Sequence, residues 1–208
     1  HPIIGTQINL NASGIIGKIS LYATSEEGYK NLTKLSSSSY LKNKGTTEPS
    51  CSLKDLIDNS EDIILLTGNC INFFGKLFYK NKIKDLEQIL NSLKDTFQDK
   101  MYLEIQRHNE SQEKNFENYL LNTSKLLNLP LIATQEIFYL NKEMYEAHDA
   151  LVCIGEKNFV DDKNRFKYSN HHFFKTQEEL EKLYSDIPEA LENNYNFHLR
   201  FNFKPKKS

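Results

Sequence analysis

The amino-acid sequence predicts an α/β fold made of repeated strand and helix units. Apolar runs of strand length alternate with longer segments in which apolar residues recur at helical spacing. The 208 residues are 38% hydrophobic and 26% charged, a composition that fits one globular domain. Parallel pairing satisfies this order of elements, either in a closed barrel or in an open sheet.

The chain begins with a predicted hairpin and a helix. Residues 3–10 and 18–23 have the apolar content of strands, and residues 11–14 between them supply a turn. Ser25 then predicts a helix start, because this capping hydroxyl precedes two acidic residues and apolar side chains at helical spacing. The serine-rich segment 36–39 is predicted to leave the helix for a loop.

The next part of the chain predicts a loop, a strand and two helices. The polar segment 42–50 reads as loop, and residues 53–57 suggest a short helix. Residues 63–68 form an apolar run closed by glycine, which is typical of a strand in a sheet covered on both faces. Apolar residues at helical spacing predict a helix over 83–93.

Two further strand and helix pairs follow. Residues 101–105 and 129–134 predict strands, and residues 113–127 and 143–153 predict the helices after them. This repeated order favours parallel βα units.

The segment 155–174 is predicted to depart from the regular pattern. It contains an Asp161-Asp162 turn signal, Arg165 and the pair His171-His172.

The chain closes with two predicted helices, over 177–184 and 188–198, and the basic sequence Lys204-Pro205-Lys206-Lys207. A basic end that contains proline is usually a solvated linker, and a phosphate contact is the alternative.

Composition excludes several classes of protein. A formal net charge of −2 gives no general electrostatic affinity for nucleic acid. The three cysteines, Cys51, Cys70 and Cys153, form no Cys-x-x-Cys pair, so neither a zinc knuckle nor a thioredoxin-like motif is expected. No apolar run approaches the roughly 20 residues that span a bilayer, and a cytoplasmic location is expected. The chain has no initiator methionine and starts directly on a strand, which suggests a fragment.

Candidate site residues follow from the rule that functional side chains in βα folds gather at the carboxyl ends of strands. The positions are Gln7, Lys18, His108, Gln135, Glu136 and Phe138. By residue type alone they do not form a convincing catalytic set. A single histidine is more often a hydrogen-bonded structural residue than a metal ligand, and Glu136 can either ligate a hard cation or lie exposed.

Six sequence blocks carry a family resemblance. They are HPIIGTQ at 1–7, EGYKNL at 27–32, YLEIQRH at 102–108, LIATQE at 131–136, EAHDAL at 146–151 and DIPEAL at 186–191. In order and spacing they closely resemble the N-terminal PHP region of bacterial DNA polymerase III alpha subunits, over nearly the whole chain.

The resemblance implies a distorted (β/α)7 TIM-like barrel, incomplete here because the first strands are missing. Residues 1–200 would form the truncated PHP domain, and residues 201–208 would start a linker toward the polymerase thumb and palm. Active members hold a trinuclear cluster, often of zinc or manganese, that hydrolyses phosphoesters by activating water and clamping the oxygens of the reacting phosphate.

This sequence departs from the metal-binding pattern of the family. Gln7 stands where active relatives carry Glu, Lys18 where they carry His, and Phe138 where they carry His. Only His108 and Glu136 remain capable ligands, and Lys18 has no lone pair near neutral pH. We therefore expect these five positions to be a vestigial metal site with no catalytic residue and no bound metal. Lys18 would replace the metal charge by pairing with Glu136, or else point to solvent.

Three functions are compatible with the resemblance. The first is a scaffold that docks the proofreading exonuclease subunit, within a parent nucleotidyltransferase that polymerises DNA with magnesium and meets primed DNA and a sliding clamp through its other parts. The second is an active metal-dependent phosphoesterase, a 3'-5' exonuclease or pyrophosphatase completed by upstream ligands. The third is a nucleic-acid contact module built on Arg165, His171, His172 and the 204–207 end.

Overall fold

The computed structural model describes residues 2–42 and 48–204, which form a mixed α/β fold. His1, in the first resemblance block, and residues 205–207, in the predicted basic linker, lie outside the described residues. The strands are β1 Ile4–Ala12, β2 Ile15–Ala23, β3 Ser50–Ser52, β4 Ile63–Leu66, β5 Met101–Ile105 and β6 Leu131–Ala133. The α-helices are α1 Glu26–Lys42, α2 Leu53–Asp58, α3 Phe73–Tyr79, α4 Ile83–Phe97, α5 Glu113–Leu127, α6 Tyr145–Glu156, α7 Gln177–Leu183 and α8 Pro188–Phe197.

The strands form one six-stranded sheet in the order β3-β1-β2-β4-β5-β6. β4, β5 and β6 are parallel, as the alternation of strands and helices predicts. β1 and β2 are an antiparallel hairpin, and β2 also runs antiparallel to β4. Of the two arrangements compatible with the sequence, the part of the chain described here adopts the open sheet, with β3 and β6 at its edges.

A two-residue turn closes the hairpin. Ala12 pairs with Ile15, so Ser13 and Gly14 alone connect the strands. Their φ angles of 51° and 70° both lie in the left-handed region. This is the backbone that matches the right-handed twist of a hairpin, and it explains why glycine follows a small polar residue here.

The two faces of the sheet bury different groups. Alternate residues such as Leu21, Leu65 and Leu103 point to the main core, which α1, α3, α4 and α5 cover. The opposite face carries a smaller aromatic cluster, made by Tyr22, Ile64, Tyr102, Phe197 and Phe201 with Leu66 and Ile132. The ring centroids of Tyr22 and Phe197 are 5.4 Å apart, and those of Phe197 and Phe201 are 5.0 Å apart. Phe201, where the linker is predicted to start, is thus buried against the sheet.

The structure differs from the local predictions in two helices. Residues 36–39 belong to α1 and not to a loop, because Ser38 and Ser39 donate hydrogen bonds to main-chain carbonyls three residues earlier and Ser39 is buried. Helix α3 was not predicted at all. Its apolar side chains, Phe73, Phe74 and Leu77, are buried in the main core.

The predicted departure from regular structure is confirmed. Residues 157–176 contain no named strand or helix, and an isolated bridge between Tyr139 and Phe173 ties them to the segment after β6. We call residues 157–175 the excursion. No helix among residues 2–42 and 48–204 is both long and apolar enough to cross a membrane.

Candidate functional site

A buried carboxylate joins the carboxyl ends of the three parallel strands. Glu104 on β5 accepts hydrogen bonds from the Gly68 backbone N–H at 3.0 Å and from Gln106 Nε2 at 2.8 Å. The Thr134 hydroxyl, just after β6, also donates to Glu104. Burial raises the pKa of Glu104 above its ordinary value, although these hydrogen bonds act in the opposite direction. The network fixes the loops that follow β4, β5 and β6 relative to one another.

His108 follows β5 and is only 1% exposed. Its Nδ1 lies 3.2 Å from Glu113 Oε1, and its Nε2 accepts a hydrogen bond from the backbone N–H of Glu136 at 3.1 Å. An imidazole that accepts at Nε2 carries its proton on Nδ1, so Nδ1 donates to Glu113. Both ring nitrogens are therefore occupied by protein groups, and no lone pair remains for a metal ion.

Glu113, at the start of α5, is the group that orients His108. Its carboxylate also accepts the backbone N–H groups of His108 and Glu110, at 2.9 Å and 3.0 Å. Burial acts to raise the pKa of Glu113, but these hydrogen bonds outweigh it and leave the pKa below its ordinary value. Glu113 is therefore ionised near neutral pH and already bound.

Phe138 lies inside a column of stacked rings. The ring centroids of His108 and His172 are 4.1 Å apart, and the two ring planes are nearly parallel, with an angle of 1° between them. Phe138 follows at 4.9 Å from His172, and His148 of α6 stacks on its other side, also at 4.9 Å. Because the column draws on the ends of β5 and β6, on α6 and on the excursion, Phe138 helps to pack these elements together.

His172 contributes an unused hydrogen-bond acceptor. Its Nδ1 lies 3.0 Å from the Glu136 carbonyl oxygen and therefore donates to it. The remaining nitrogen, Nε2, is buried without a hydrogen-bond partner, and Glu110 Oε1 lies 3.5 Å away. Burial, followed by the neighbouring His108, lowers the pKa of His172, so Nε2 is unprotonated near neutral pH.

A pocket of about 310 Å³ opens beside these groups. Its lining includes the carboxylates of Glu110, Glu113 and Glu136 together with His172, and among the described residues no Lys or Arg contributes to it. Cys70 also lines the pocket, and burial raises the pKa of its thiol to about 11, so it is protonated near neutral pH. The pocket therefore has an acidic character.

Gln7 and Lys18 lie apart from this pocket, exposed on the hairpin. Gln7 Nε2 donates to Ser20 Oγ at 3.5 Å, and Lys18 is paired in register with Asn9. Of the two arrangements expected for Lys18, the structure shows the one in solvent: Lys18 is exposed, and no ion pair within 4.0 Å joins the two described residues Lys18 and Glu136.

The trinuclear cluster implied by the resemblance does not fit these residues. His108 has no free lone pair, Phe138 is a hydrocarbon ring, and Lys18 is a cation. Over residues 2–42 and 48–204, no group of three or more His, Cys, Asp or Glu side chains is arranged to hold a metal ion.

The excursion is held by an ion pair that the sequence did not reveal. Arg165 donates two hydrogen bonds to Asp149 of α6, at 2.6 Å and 2.5 Å, and its Nε donates to the Val160 carbonyl at 3.1 Å. The hydrogen bonds from Arg165 lower the pKa of Asp149 below its ordinary value. The guanidinium of Arg165, which the nucleic-acid alternative would use, is thus engaged within the domain.

Comparison with known proteins places these features in a family. Residues 1–108 match the family described as PHP domain. The chain is 33% identical to DNA polymerase III subunit alpha of Rickettsia bellii, over 98% of this chain and 17% of that protein. It is 34% identical to the subunit of Caulobacter vibrioides over 90% of this chain, and 37% identical to that of Borreliella burgdorferi over 92%. The chain spans 16% to 18% of the length of these three relatives.

Proposed function

Because this chain belongs to the PHP domain family, we propose that it forms the PHP domain of a DNA polymerase III alpha subunit and acts there as a metal-free scaffold. The matches to DNA polymerase III alpha subunits cover almost the whole length of this chain, which supports an alpha subunit as the parent protein. Polymerisation of DNA with magnesium, a nucleotidyl transfer, belongs to other regions of the parent, as do contacts with primed DNA and the sliding clamp. The parent works in the cytoplasm.

The geometry of His108 carries the proposal that the domain lacks hydrolytic activity. The residue is the one histidine among the five vestigial positions, and Glu113 and the Glu136 backbone occupy both of its nitrogens. Without metal ions, the carboxylates of the adjacent pocket would repel a phosphoester rather than stabilise its developing charge. A phosphoesterase mechanism therefore has neither an electrophile nor an activated water here.

The docking role is supported by an exposed apolar surface. Leu151 and Ile154 on α6 are 65% and 75% exposed, and Phe159 at the start of the excursion is 79% exposed. Apolar side chains grouped in this way commonly mark a protein-binding surface. We assign this surface to the contact with the proofreading exonuclease subunit, beside the contacts that the domain makes with the remainder of the alpha subunit.

The test is retention of the purified proofreading exonuclease by the intact parent protein immobilised on a support. We expect the parent to retain the exonuclease and the double variant Leu151→Ser/Ile154→Ser to retain at least tenfold less, about 1.4 kcal/mol or more in binding free energy. Leu126→Ser on α5, another strongly exposed leucine, is the matched control and should retain the exonuclease normally.

The same preparations distinguish the scaffold from the phosphoesterase alternative. The parent protein with Mn²⁺, with and without chelator, should release no nucleotide from a 3' end and hydrolyse no pyrophosphate. Hydrolysis that requires Mn²⁺ and persists when the polymerase carboxylates are substituted would replace the scaffold proposal with the metal-dependent alternative.

A further inference from the structure

We infer that the pocket beside His172 binds a basic side chain, an arginine in the first instance, presented by a partner protein. The inference rests on the proposed docking role in one respect: that role is the reason for taking the ligand to be a protein. An unpaired acceptor beside a carboxylate oxygen, the negative charge, the size and the character of the rim each support it.

Two hydrogen-bond acceptors lie side by side in the pocket, with no donor between them. His172 Nε2 is buried and has no hydrogen-bond partner, and its other nitrogen donates to the Glu136 carbonyl. Glu110 Oε1 lies 3.5 Å from Nε2, and both line the pocket. Two acceptors side by side are complementary to the paired N–H donors of a guanidinium. A buried acceptor is otherwise left with the cost of its lost hydration.

The second observation is the charge of the pocket. Glu136 is half-buried, and its carboxylate makes no hydrogen bond or ion pair with another described residue. Glu110 is the second carboxylate, and its Oε1 accepts only the backbone N–H of Ser169, at 2.7 Å, among groups described here. With no Lys or Arg in the described lining, these two carboxylates favour a cation and disfavour a phosphate.

The third observation separates an organic cation from a metal ion. A volume of about 310 Å³ is in the range of small-molecule sites and exceeds what one coordinated ion occupies. Tyr168 and Phe166 contribute aromatic faces, on which a guanidinium stacks well. Phe166 and Ile71 are 58% and 49% exposed at the rim, which suits an arginine flanked by apolar residues of a polypeptide.

Equilibrium dialysis of radiolabelled n-butylguanidinium against the intact parent protein at low ionic strength tests the inference. The matched probe n-butylurea has the same shape without the charge. We expect one equivalent of guanidinium to bind at least tenfold more tightly than the urea, and added salt to weaken it. Equal binding of the two probes, or no saturable binding of either, would overturn the inference.

Three variants locate the binding. Glu136→Gln and Glu110→Gln should each weaken guanidinium binding about tenfold. Glu87→Gln, an exposed position on α4, should leave binding unchanged. Glu110→Gln removes charge from a group that holds Ser169, whereas the Glu136 carboxylate supports no described contact, so Glu136→Gln decides the result if the former is poorly folded. Unchanged binding in Glu136→Gln would contradict the inference.

Two further arms separate the alternatives. Dialysis with Zn²⁺ or Mn²⁺ alone should give no stoichiometric binding, and tight binding lost in His172→Gln would make this a metal site instead. If the exonuclease is not retained by the parent but n-butylguanidinium binds through Glu136, the proposed docking of that subunit fails and the basic side chain belongs to another protein.

Discussion

Replacing Glu104 with alanine should loosen the ends of the three parallel strands. The substitution removes the acceptor of three hydrogen bonds, which the Gly68 N–H, the Gln106 amide and the Thr134 hydroxyl donate. Of these donors, the Gln106 amide keeps one other bond, to Thr134 Oγ1. An unsatisfied donor costs about 1–3 kcal/mol, and we take the lower end because Gln106 and Thr134 are half-buried, which gives about 3 kcal/mol in total. At about 1.4 kcal/mol per factor of ten, the local opening equilibrium should increase about 150-fold.

Hydrogen exchange followed by mass spectrometry on the intact parent protein measures this effect. Amides of β5, residues 101–105, and of β6, residues 131–133, should exchange about two orders of magnitude faster in Glu104→Ala. Glu104→Gln keeps one acceptor oxygen and should show a smaller increase, and Glu87→Gln should show none. Unchanged exchange of β5 in Glu104→Ala would refute the view that this carboxylate holds the strand ends together.

Three further predictions follow from the structure. Because the pKa of His172 is lowered from 6.5, the unfolded chain binds more protons than the folded one just below that pH, so stability of the excursion should fall as pH drops from 7.5 to 5.5. Exchange of its amides should show this, and His172→Gln should weaken the dependence. The raised pKa of Glu104 has the opposite sign, because its stabilising contribution is present below its ordinary pKa of 4.5 and is lost as pH rises through the folded value. Glu104→Gln should remove that term, so its stability deficit relative to the parent should narrow as pH rises. Gly17→Ala would place a Cβ 2.6 Å from Phe73 Cα, and we expect about 1–3 kcal/mol of destabilisation by denaturant titration, whereas Gly155→Ala, whose Cβ would meet no atom within 4 Å, should be tolerated.

Sequence patterns predicted well the elements in which each side is buried or exposed along its whole length. β5 and α5 begin and end where the apolar pattern places them, because each side of the element is either covered or solvated along its whole length. α1 was predicted too short, because the serines at 36–39 favour loops by local preference. In the structure, the hydroxyls of Ser38 and Ser39 donate hydrogen bonds to carbonyls of their own helix, and Ser39 is buried in the core. Helix α3 was missed because its sequence, FFGKLFY, is apolar almost throughout and shows no polar face at helical spacing.

The pocket could not be predicted in the same way. His108 and Glu136 were found from strand ends, but their partners lie on other elements, whose positions the sequence pattern does not give. Glu113 meets His108 through the start of α5, and His172 arrives through the excursion, which folds back over the end of β6. For Lys18 the sequence left two positions open, a pair with Glu136 or solvent, and its place on the hairpin strand puts it in solvent. Within the excursion, the His171-His172 pair was the sequence signal that pointed to the pocket.

Elemental analysis of the intact parent protein, purified without chelator, tests the metal-free site most directly. We predict less than about one tenth of an equivalent of zinc or manganese per chain at the PHP site, because His108 offers no free lone pair to a metal. Near-stoichiometric zinc or manganese that is lost in His108→Ala, with the fold intact, would contradict the account.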